Sequence, residues 1–389
     1  MTIGIVLSQP PVYSETFFNS KIKGLQESGF QVVLFVNSNP NSFSSCKTIV
    51  APEWHKSLLN KLCLIFWMLF KVIQNFNSVF TFINLERKAN RSWIQIFKNI
   101  FTNIHLLASK LNWLHFGFST LSIQSECVAK AIGAKMAVSL RGFDIDVFPL
   151  KHPGCYKLLW QQVDKVHVIS DYLLQRAYQL GLSKETEVQI ITPAVNIEKF
   201  NFKHEKVFLN SIKFLTVARL HWIKGLTETL VALAILKLKG VNFSYTIIGS
   251  GALLESLSFT IYQLNLSDSV KLIGQKSDDE VLDELKNTDY YIQYSYSEGF
   301  CNAVLEAQAV GALCIVSDGG GLVENIVNKE TGWVILKRQP KLLAESIFEI
   351  INLPDSYKIK VRNQARNRVE SYFSLDQNKL AFKSFYEKN

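Results

Sequence analysis

Short apolar runs alternate with longer stretches of helical period along this chain. Ile3-Gly-Ile-Val-Leu is a run of strand length, 15–28 carry apolar residues at helical spacing, and Gln31-Val-Val-Leu-Phe-Val is apolar again. Strand, helix, strand in that order predicts a βαβ opening, with strands apolar on both faces as in a parallel sheet. Three later apolar runs end in polar loops: Leu114-His115-Phe-Gly-Phe-Ser, 135–140 followed by Arg141-Gly-Phe-Asp144, and 163–170. A fresh strand begins at Ile212-Lys-Phe-Leu-Thr-Val, a helix follows over 226–238, and further apolar runs lie at 244–248, 270–273 and 314–317. At 389 residues the chain exceeds one ordinary core. The pattern predicts two doubly wound α/β domains, 1–205 and 206–373, with a polar linker at 201–210 and a terminal helix, 374–389, capped by Ser374.

In open parallel sheets the ligand crevice lies outside the carboxyl ends of the strands. In the first half this makes Ser14, Glu15 and Thr16 of the first loop, with His115, Arg141 and Asp144, candidates for an acceptor cleft. The first loop has no G-x-G-x-x-G, so it does not hold a dinucleotide pyrophosphate in the usual way. In the second half Arg219 and Lys224 project from a strand-to-helix loop. A planar guanidinium and a compact ammonium suit two linked phosphates and the charge that grows on a departing diphosphate. Ile248-Gly249-Ser-Gly251 starts like a dinucleotide fingerprint but has Leu254 at the third glycine, so its glycines are expected only to let a nucleotide approach the backbone. Gly274, Gln275 and Lys276 form the next turn. The stretch Glu298-Gly299-Phe300-Cys301-Asn302 then leads into a helix that carries Glu306. Amides at that helix start and two carboxylates suit phosphate and sugar hydroxyls. Three glycines, 319–321, precede another predicted helix at 322–327 and suggest a second amide-lined anion site.

Charge adds one feature. The net charge is +9, and residues 1–200 hold 20 Lys and Arg against 12 Asp and Glu. Much of the excess lies between Cys46 and Lys110, where an apolar aromatic run at 58–73 precedes a basic, Trp-bearing helical stretch at 87–113. Such a segment, 58–113, fits an anionic membrane surface; its plain alternative is a core helix beside a solvated basic face. No nucleic-acid motif accompanies the charge, so no nucleic-acid partner is expected. No run is long enough to span a bilayer, the first residues lack the basic start of a signal peptide, and six scattered cysteines fit a reducing cytosol.

Several of these residues recur together in a known family. Val217-Ala-Arg219-Leu with Lys224-Gly225, Ile248-Gly-Ser-Gly251, Glu298-Gly-Phe with Glu306, and Ser317-Asp-Gly-Gly-Gly321 with Glu324 and Thr331-Gly332 resemble, in this order, the retaining family-4 glycosyltransferases. The first half matches through 10–16, His115-Phe-Gly and Leu140-Arg-Gly-Phe-Asp144. The resemblance implies the GT-B fold, two Rossmann-like domains facing a cleft, with the last helix crossing back to the first domain. It implies a cytoplasmic, membrane-peripheral enzyme that moves a hexose from a UDP- or GDP-sugar to a glycan or lipid-linked acceptor. Lipopolysaccharide, capsule or exopolysaccharide assembly is the setting it points to. No metal and no cofactor are implied, the sugar nucleotide being substrate. By the same resemblance Arg219 and Lys224 take the diphosphate, Glu298 the sugar hydroxyls, Glu306 the ribose, and residues near Gly274 to Lys276 the base, with Glu298, Arg219, Lys224 and His115 as the catalytic set. Many relatives place His where this chain has Arg141; a guanidinium cannot accept a proton at neutral pH, so a phosphate or sugar contact is expected there. A sugar-nucleotide epimerase of similar architecture and a non-catalytic nucleotide-sugar-binding scaffold are the alternatives. A dinucleotide oxidoreductase is disfavoured by the incomplete glycine loops.

Overall fold

The computed structural model describes residues 1–11, 16–39, 43–53, 58–202 and 211–387, without the side chains of 16 and 58–60. It divides into two compact units, Met1–Ile191 with Lys379–Asn389, and Thr192–Asn378. The division falls earlier than residue 205 because 192–202 are tied into the second unit. Val195 bridges to Ser374, Asn378 Nδ2 donates to the Thr192 carbonyl at 2.8 Å, and Arg366 donates to the Phe200 carbonyl at 2.7 Å. Most of the expected linker, 203–210, lies outside the described residues.

Unit 1 is built on seven parallel strands: β1 Thr2–Val6, β2 Gln31–Val36, β3 Lys47–Val50, β4 Trp113–Phe116, β5 Lys135–Leu140, β6 Lys165–Val168 and β7 Glu187–Ile190. Their order is β3-β2-β1-β4-β5-β6-β7, so the winding reverses between β1 and β4, where Ile5 is in register with His115. Ile3, Ile5 and Leu34 are fully buried, as strands covered on both faces require. The helix ending at Glu387 contributes Phe382, Phe385 and Tyr386 to this core. Between β3 and β4 stand three helices, Leu58–Gln74, Phe76–Lys88 and Trp93–Leu107. The expected single helical stretch at 87–113 is therefore split and shortened. Asn90, at φ 59°, turns the chain, Ser92 caps the next helix by accepting from Gln95 N at 3.3 Å, and Trp113 already belongs to β4.

Unit 2 holds six parallel strands, β8 Ile212–Val217, β9 Phe243–Ile248, β10 Val270–Leu272, β11 Tyr290–Gln293, β12 Leu313–Ser317 and β13 Trp333–Ile335, in the order β10-β9-β8-β11-β12-β13. The reversal lies between β8 and β11. Each sheet is doubly wound, as the alternating pattern predicts. The helix expected at 322–327 is a four-residue turn, Leu322–Asn325, while two longer helices not anticipated from the pattern, Pro340–Ile351 and Asp355–Tyr372, follow β13.

Candidate active site

The loops that leave β8 and β11 meet at the switch point of unit 2. Gly225 ends the turn Trp222–Lys224 in the left-handed region, φ 60°, and a Cβ there would lie 2.0 Å from the Tyr294 carbonyl oxygen. The close approach lets Tyr296 N donate to the Ile223 carbonyl at 2.7 Å. It sets the Lys224 ammonium against the Glu298 carboxylate, to which it donates a hydrogen bond. Glu298 Oε1 also accepts from Ser295 Oγ at 2.9 Å and from Gln293 Nε2 at 3.4 Å. Tyr291 donates in turn to Gln293 Oε1 at 2.9 Å. One carboxylate oxygen is thus fixed by three donors, while Oε2 has no hydrogen bond among the described residues. Arg219 is exposed on the same β8 loop. Burial, then Arg219 and Lys224, keep the neighbouring His221 below its usual imidazole value, so it adds no charge to a loop already positive at neutral pH.

The glycine-rich turns build this framework. Cβ atoms on Gly249 and Gly251 would lie 1.9 Å from the Ala218 and 2.4 Å from the Leu220 carbonyl oxygens. Their lack of side chains lets the β9 loop pack on the Arg219 loop, to which Leu220 N and Leu253 N stitch it. The close approach expected for a nucleotide is here made by the chain's own backbone. The 319–321 turn is likewise no second anion site. Gly320 N donates to Asp318 O at 3.0 Å, Gly321 N to Glu298 O at 2.7 Å and Leu322 N to Gly319 O at 3.5 Å, while Glu298 N donates to Gly319 O at 3.1 Å. The Gly321 amide and the Gly319 carbonyl hold the Glu298 backbone, and the other amides close on the turn itself.

Glu306 lies one turn inside the helix Asn302–Val310 and makes no hydrogen bond among the described residues. Burial, then Asp278, push its carboxyl up to about 7, and Lys199 opposes the rise. Lys199 itself is paired with Asp279 at 2.9 Å. Of the amides before the helix, that of Cys301 is already committed: it donates to Asn325 Oδ1 at 3.1 Å, and Asn325 donates back to the Cys301 carbonyl at 3.0 Å. The Cys301 thiol is buried and pushed up to about 12. The Phe300 ring is also buried, against Phe373 at 5.7 Å. Both side chains are therefore packing residues rather than ligand contacts, leaving the Gly299, Phe300 and Asn302 amides as the donors at this helix start. Gly274 is left-handed, φ 74°, with open space around its Cα; Gln275 is exposed, and Lys276 pairs with Glu280 at 2.9 Å in the capping box of Asp278–Lys286.

The candidate residues of unit 1 fare differently. Ser14 and Glu15 and the side chain of Thr16 lie outside the described residues. His115 is fully buried, not exposed to an acceptor. Its Nε2 is hydrogen-bonded to Ser139 Oγ at 2.7 Å and its Nδ1 to Tyr386 Oη at 2.6 Å. Ser139 continues the chain to His167 Nδ1 at 2.8 Å, and Lys21, also buried, lies 3.2 Å from His115 Nε2. Burial, then the Lys21 and His167 charges, hold His115 well below the usual imidazole value. A neutral ring with both nitrogens engaged is a core residue, so the catalytic and acceptor roles expected for it are corrected. Asp144 is buried too: Oδ1 accepts from Thr120 at 2.8 Å, and burial lifts the carboxyl to about 6. Arg141 is partly exposed, its guanidinium stacked over Phe17 at 4.4 Å and Phe18 at 4.7 Å. Gln293 and Ser295, which sequence reasoning passed over, are the residues that fix Glu298 beside Lys224. Their signal was two polar side chains closing an otherwise apolar, aromatic strand. Among the described residues no group of three or more His, Cys, Asp or Glu could hold a metal ion.

Comparison with known proteins places unit 2 in a recognised family model. The family model "Glycosyl transferases group 1" matches residues 197–368. The chain is 28% identical over 275 residues to the amylovoran biosynthesis glycosyltransferase AmsK of Erwinia amylovora, covering 69% of this chain and 67% of that protein. It is 24% identical over 346 residues, 86% of this chain and 83% of the relative, to the N,N'-diacetylbacillosaminyl-diphospho-undecaprenol alpha-1,3-N-acetylgalactosaminyltransferase of Campylobacter jejuni. Among solved structures, Anabaena HepE in complex with UDP superposes with a TM-score of 0.73 at 12% identity, over 98% of each chain. The matched segment contains Arg219, Lys224, Glu298 and Glu306, and the two parallel sheets are those of the GT-B glycosyltransferases; the chain carries a glycosyl transferases group 1 domain in a GT-B fold.

Proposed function

We propose that this protein is a retaining glycosyltransferase of bacterial cell-surface polysaccharide assembly, moving a hexose from a UDP- or GDP-sugar to a glycan or lipid-linked acceptor on the cytoplasmic side of the membrane. The observation that carries the reading is the Lys224–Glu298 pair at the β8/β11 switch point, with Arg219 exposed on the same loop. An ammonium has three donors, so Lys224 can hold Glu298 and still donate to a diphosphate. Glu298 Oε2 is open to sugar hydroxyls, and the Gly299 and Asn302 amides add donors at a helix start. The names of the relatives support polysaccharide assembly, and that of the Campylobacter protein supports a diphospho-undecaprenol-linked acceptor.

In the proposed step the acceptor oxygen bonds to the anomeric carbon as the bond from that carbon to the diphosphate oxygen breaks on the same face. The acceptor proton passes to the departing phosphate oxygen, so no enzymic base is needed. Arg219 and Lys224 offset the charge that develops on the leaving group, the role that a divalent ion would otherwise fill. Full activity in EDTA is expected. Arg141, partly exposed at the carboxyl end of β5, is the group proposed to meet the acceptor.

Isothermal titration with UDP, GDP, ADP and NAD in EDTA tests the donor site: one diphosphate should bind, and NAD should not. Glu298→Ala should abolish transfer yet leave that diphosphate bound, whereas Arg219→Ala should weaken binding by about tenfold or more, the loss of a charge-assisted hydrogen bond. Wild-type turnover in Glu298→Ala would sink the assignment.

A further inference from the structure

The helix Leu58–Gln74 is among the most apolar elements of unit 1, yet no side chain described in it, from Lys61 to Gln74, is buried. Phe66 is 70% exposed, Phe70 57% and Ile73 73%, with Leu62, Trp67 and Leu69 also open to solvent. The next two helices continue the trend. Phe76–Lys88 buries Val79 and Phe82 but leaves Phe76 and Phe80 outside, stacked at 5.9 Å. Trp93–Leu107 buries Ile96, Ile100 and Ile104 and leaves Trp93, Ile94 and Phe97 exposed. A core helix would bury this stripe, so the plain alternative for the segment does not hold. Exposed apolar surface on this scale marks a binding face.

Charge decides what covers it. Lys61, Lys71, Arg87, Lys88 and Lys98 lie along the same helices. Glu86 is the one carboxylate between residues 58 and 110, and it is fully buried, 3.5 Å from Arg91. The exposed charge of the three helices is therefore all positive. Two copies of this face would repel, while a surface of anionic headgroups would attract it. Arg87 sits over the Trp93 ring at 5.0 Å, an aromatic and a cation paired as at a headgroup boundary. Length excludes a simple span. Seventeen residues of helix reach about 25 Å, short of a hydrocarbon core of about 30 Å. The following helix turns away by 93° at Asn75.

We infer that the helices Leu58–Gln74, Phe76–Lys88 and Trp93–Leu107 form a docking face that lies in the interfacial layer of an anionic lipid membrane, with the aromatic side chains among the headgroups and the Lys and Arg side chains on lipid phosphates. A hollow of about 660 Å³ at the end of β3 opens beside the same first helix, its wall mostly apolar, with Val50, Pro52, Leu64 and Trp67, and with Glu53 as its one carboxylate. The inference rests on unit 1 alone and is independent of the donor chemistry of unit 2.

Flotation of the full chain with vesicles of phosphatidylglycerol and phosphatidylcholine tests it. The protein should float at low salt, remain dense with phosphatidylcholine alone, and dissociate as ionic strength rises from about 0.1 M to about 1 M, where the screening length falls to about 3 Å. Phe66→Ser/Phe70→Ser/Ile73→Ser, all exposed positions, should weaken vesicle binding more than about tenfold with an unchanged melting profile. Should that variant melt differently, quenching of wild-type fluorescence by brominated lipid decides instead, with a smaller effect in Trp67→Phe/Trp93→Phe. Wild-type protein that stays dense with anionic vesicles at low salt overturns the inference. So does a concentration-dependent dimer that the three-position serine variant abolishes, which would make a second copy the occupant.

Discussion

Glu298 and Glu306 are both acidic residues of unit 2, and their surroundings set them apart. Glu298 has three donors on one oxygen, a lysine among them. Glu306 has burial and Asp278 against it, and titrates near 7. A carboxyl whose pKa is raised on folding, from about 4.3 in the unfolded chain, contributes stability at low pH that is lost as pH rises through the folded value. Glu306→Gln should therefore gain stability relative to wild type between about pH 5 and pH 8, by an amount on the order of 1–3 kcal/mol. Thermal denaturation of the two proteins across that range checks the sign. Parallel curves at every pH would show that Glu306 is solvated. A ligand that donates hydrogen bonds to Glu306 should draw the carboxyl down, so the pH dependence should shrink when the diphosphate is bound.

At the scale of elements, two devices hold the site and the first sheet. Loops in unit 2 are positioned by other loops: glycines 249 and 251 admit the Arg219 loop, and the 319–321 turn spends its amides on Glu298 and its own backbone. In unit 1 the end of the helix Leu375–Glu387 closes the core. Phe385 is fully buried, its ring 6.2 Å from Trp113 and 5.7 Å from His115, with the Lys165 ammonium 4.8 Å above it. Phe385→Ala should cost about 3–5 kcal/mol, measurable by urea denaturation, because the cavity lies over a polar chain that cannot close on it. A loss below about 1 kcal/mol would mean that the helix end is not part of the core of unit 1. The same helix supplies the Tyr386 hydroxyl to His115, so a residue near the chain end settles the fate of one near its first third.

The whole molecule has two sheets with separate cores, and this sets how it unfolds. Calorimetry should resolve two transitions rather than one. The diphosphate that binds unit 2, at about 100 times its dissociation constant, should contribute about 2.7 kcal/mol and raise the unit 2 transition by about 5–10 °C, leaving the other in place. A single transition that moves as a whole would show the units melting together. The net charge also belongs to this scale. The second half is nearly balanced and the excess lies in the first, with five Lys and Arg on the three helices between β3 and β4, so the salt dependence of vesicle binding should be carried by unit 1.

The amino-acid sequence alone determined the alternation of strands and helices, the two-sheet architecture, and the loops bearing Arg219, Lys224 and Glu298. Those signals are local: strand period, helix period, and glycine beside charge at the end of an apolar run. The start of the Asn302–Val310 helix was legible for the same reason. Whether a polar group faces solvent or the core was not, because that depends on which distant segment packs against it. His115 is buried by a helix more than 250 positions later, and the 319–321 amides face a loop rather than an anion. Gln293 and Ser295 became visible only when the β11 loop folded back to bring them onto one oxygen of Glu298. The exposure of the helix Leu58–Gln74 is the converse case. Its composition matches that of a core helix, and only the tertiary structure, which buries none of its described side chains, leaves its aromatic face exposed.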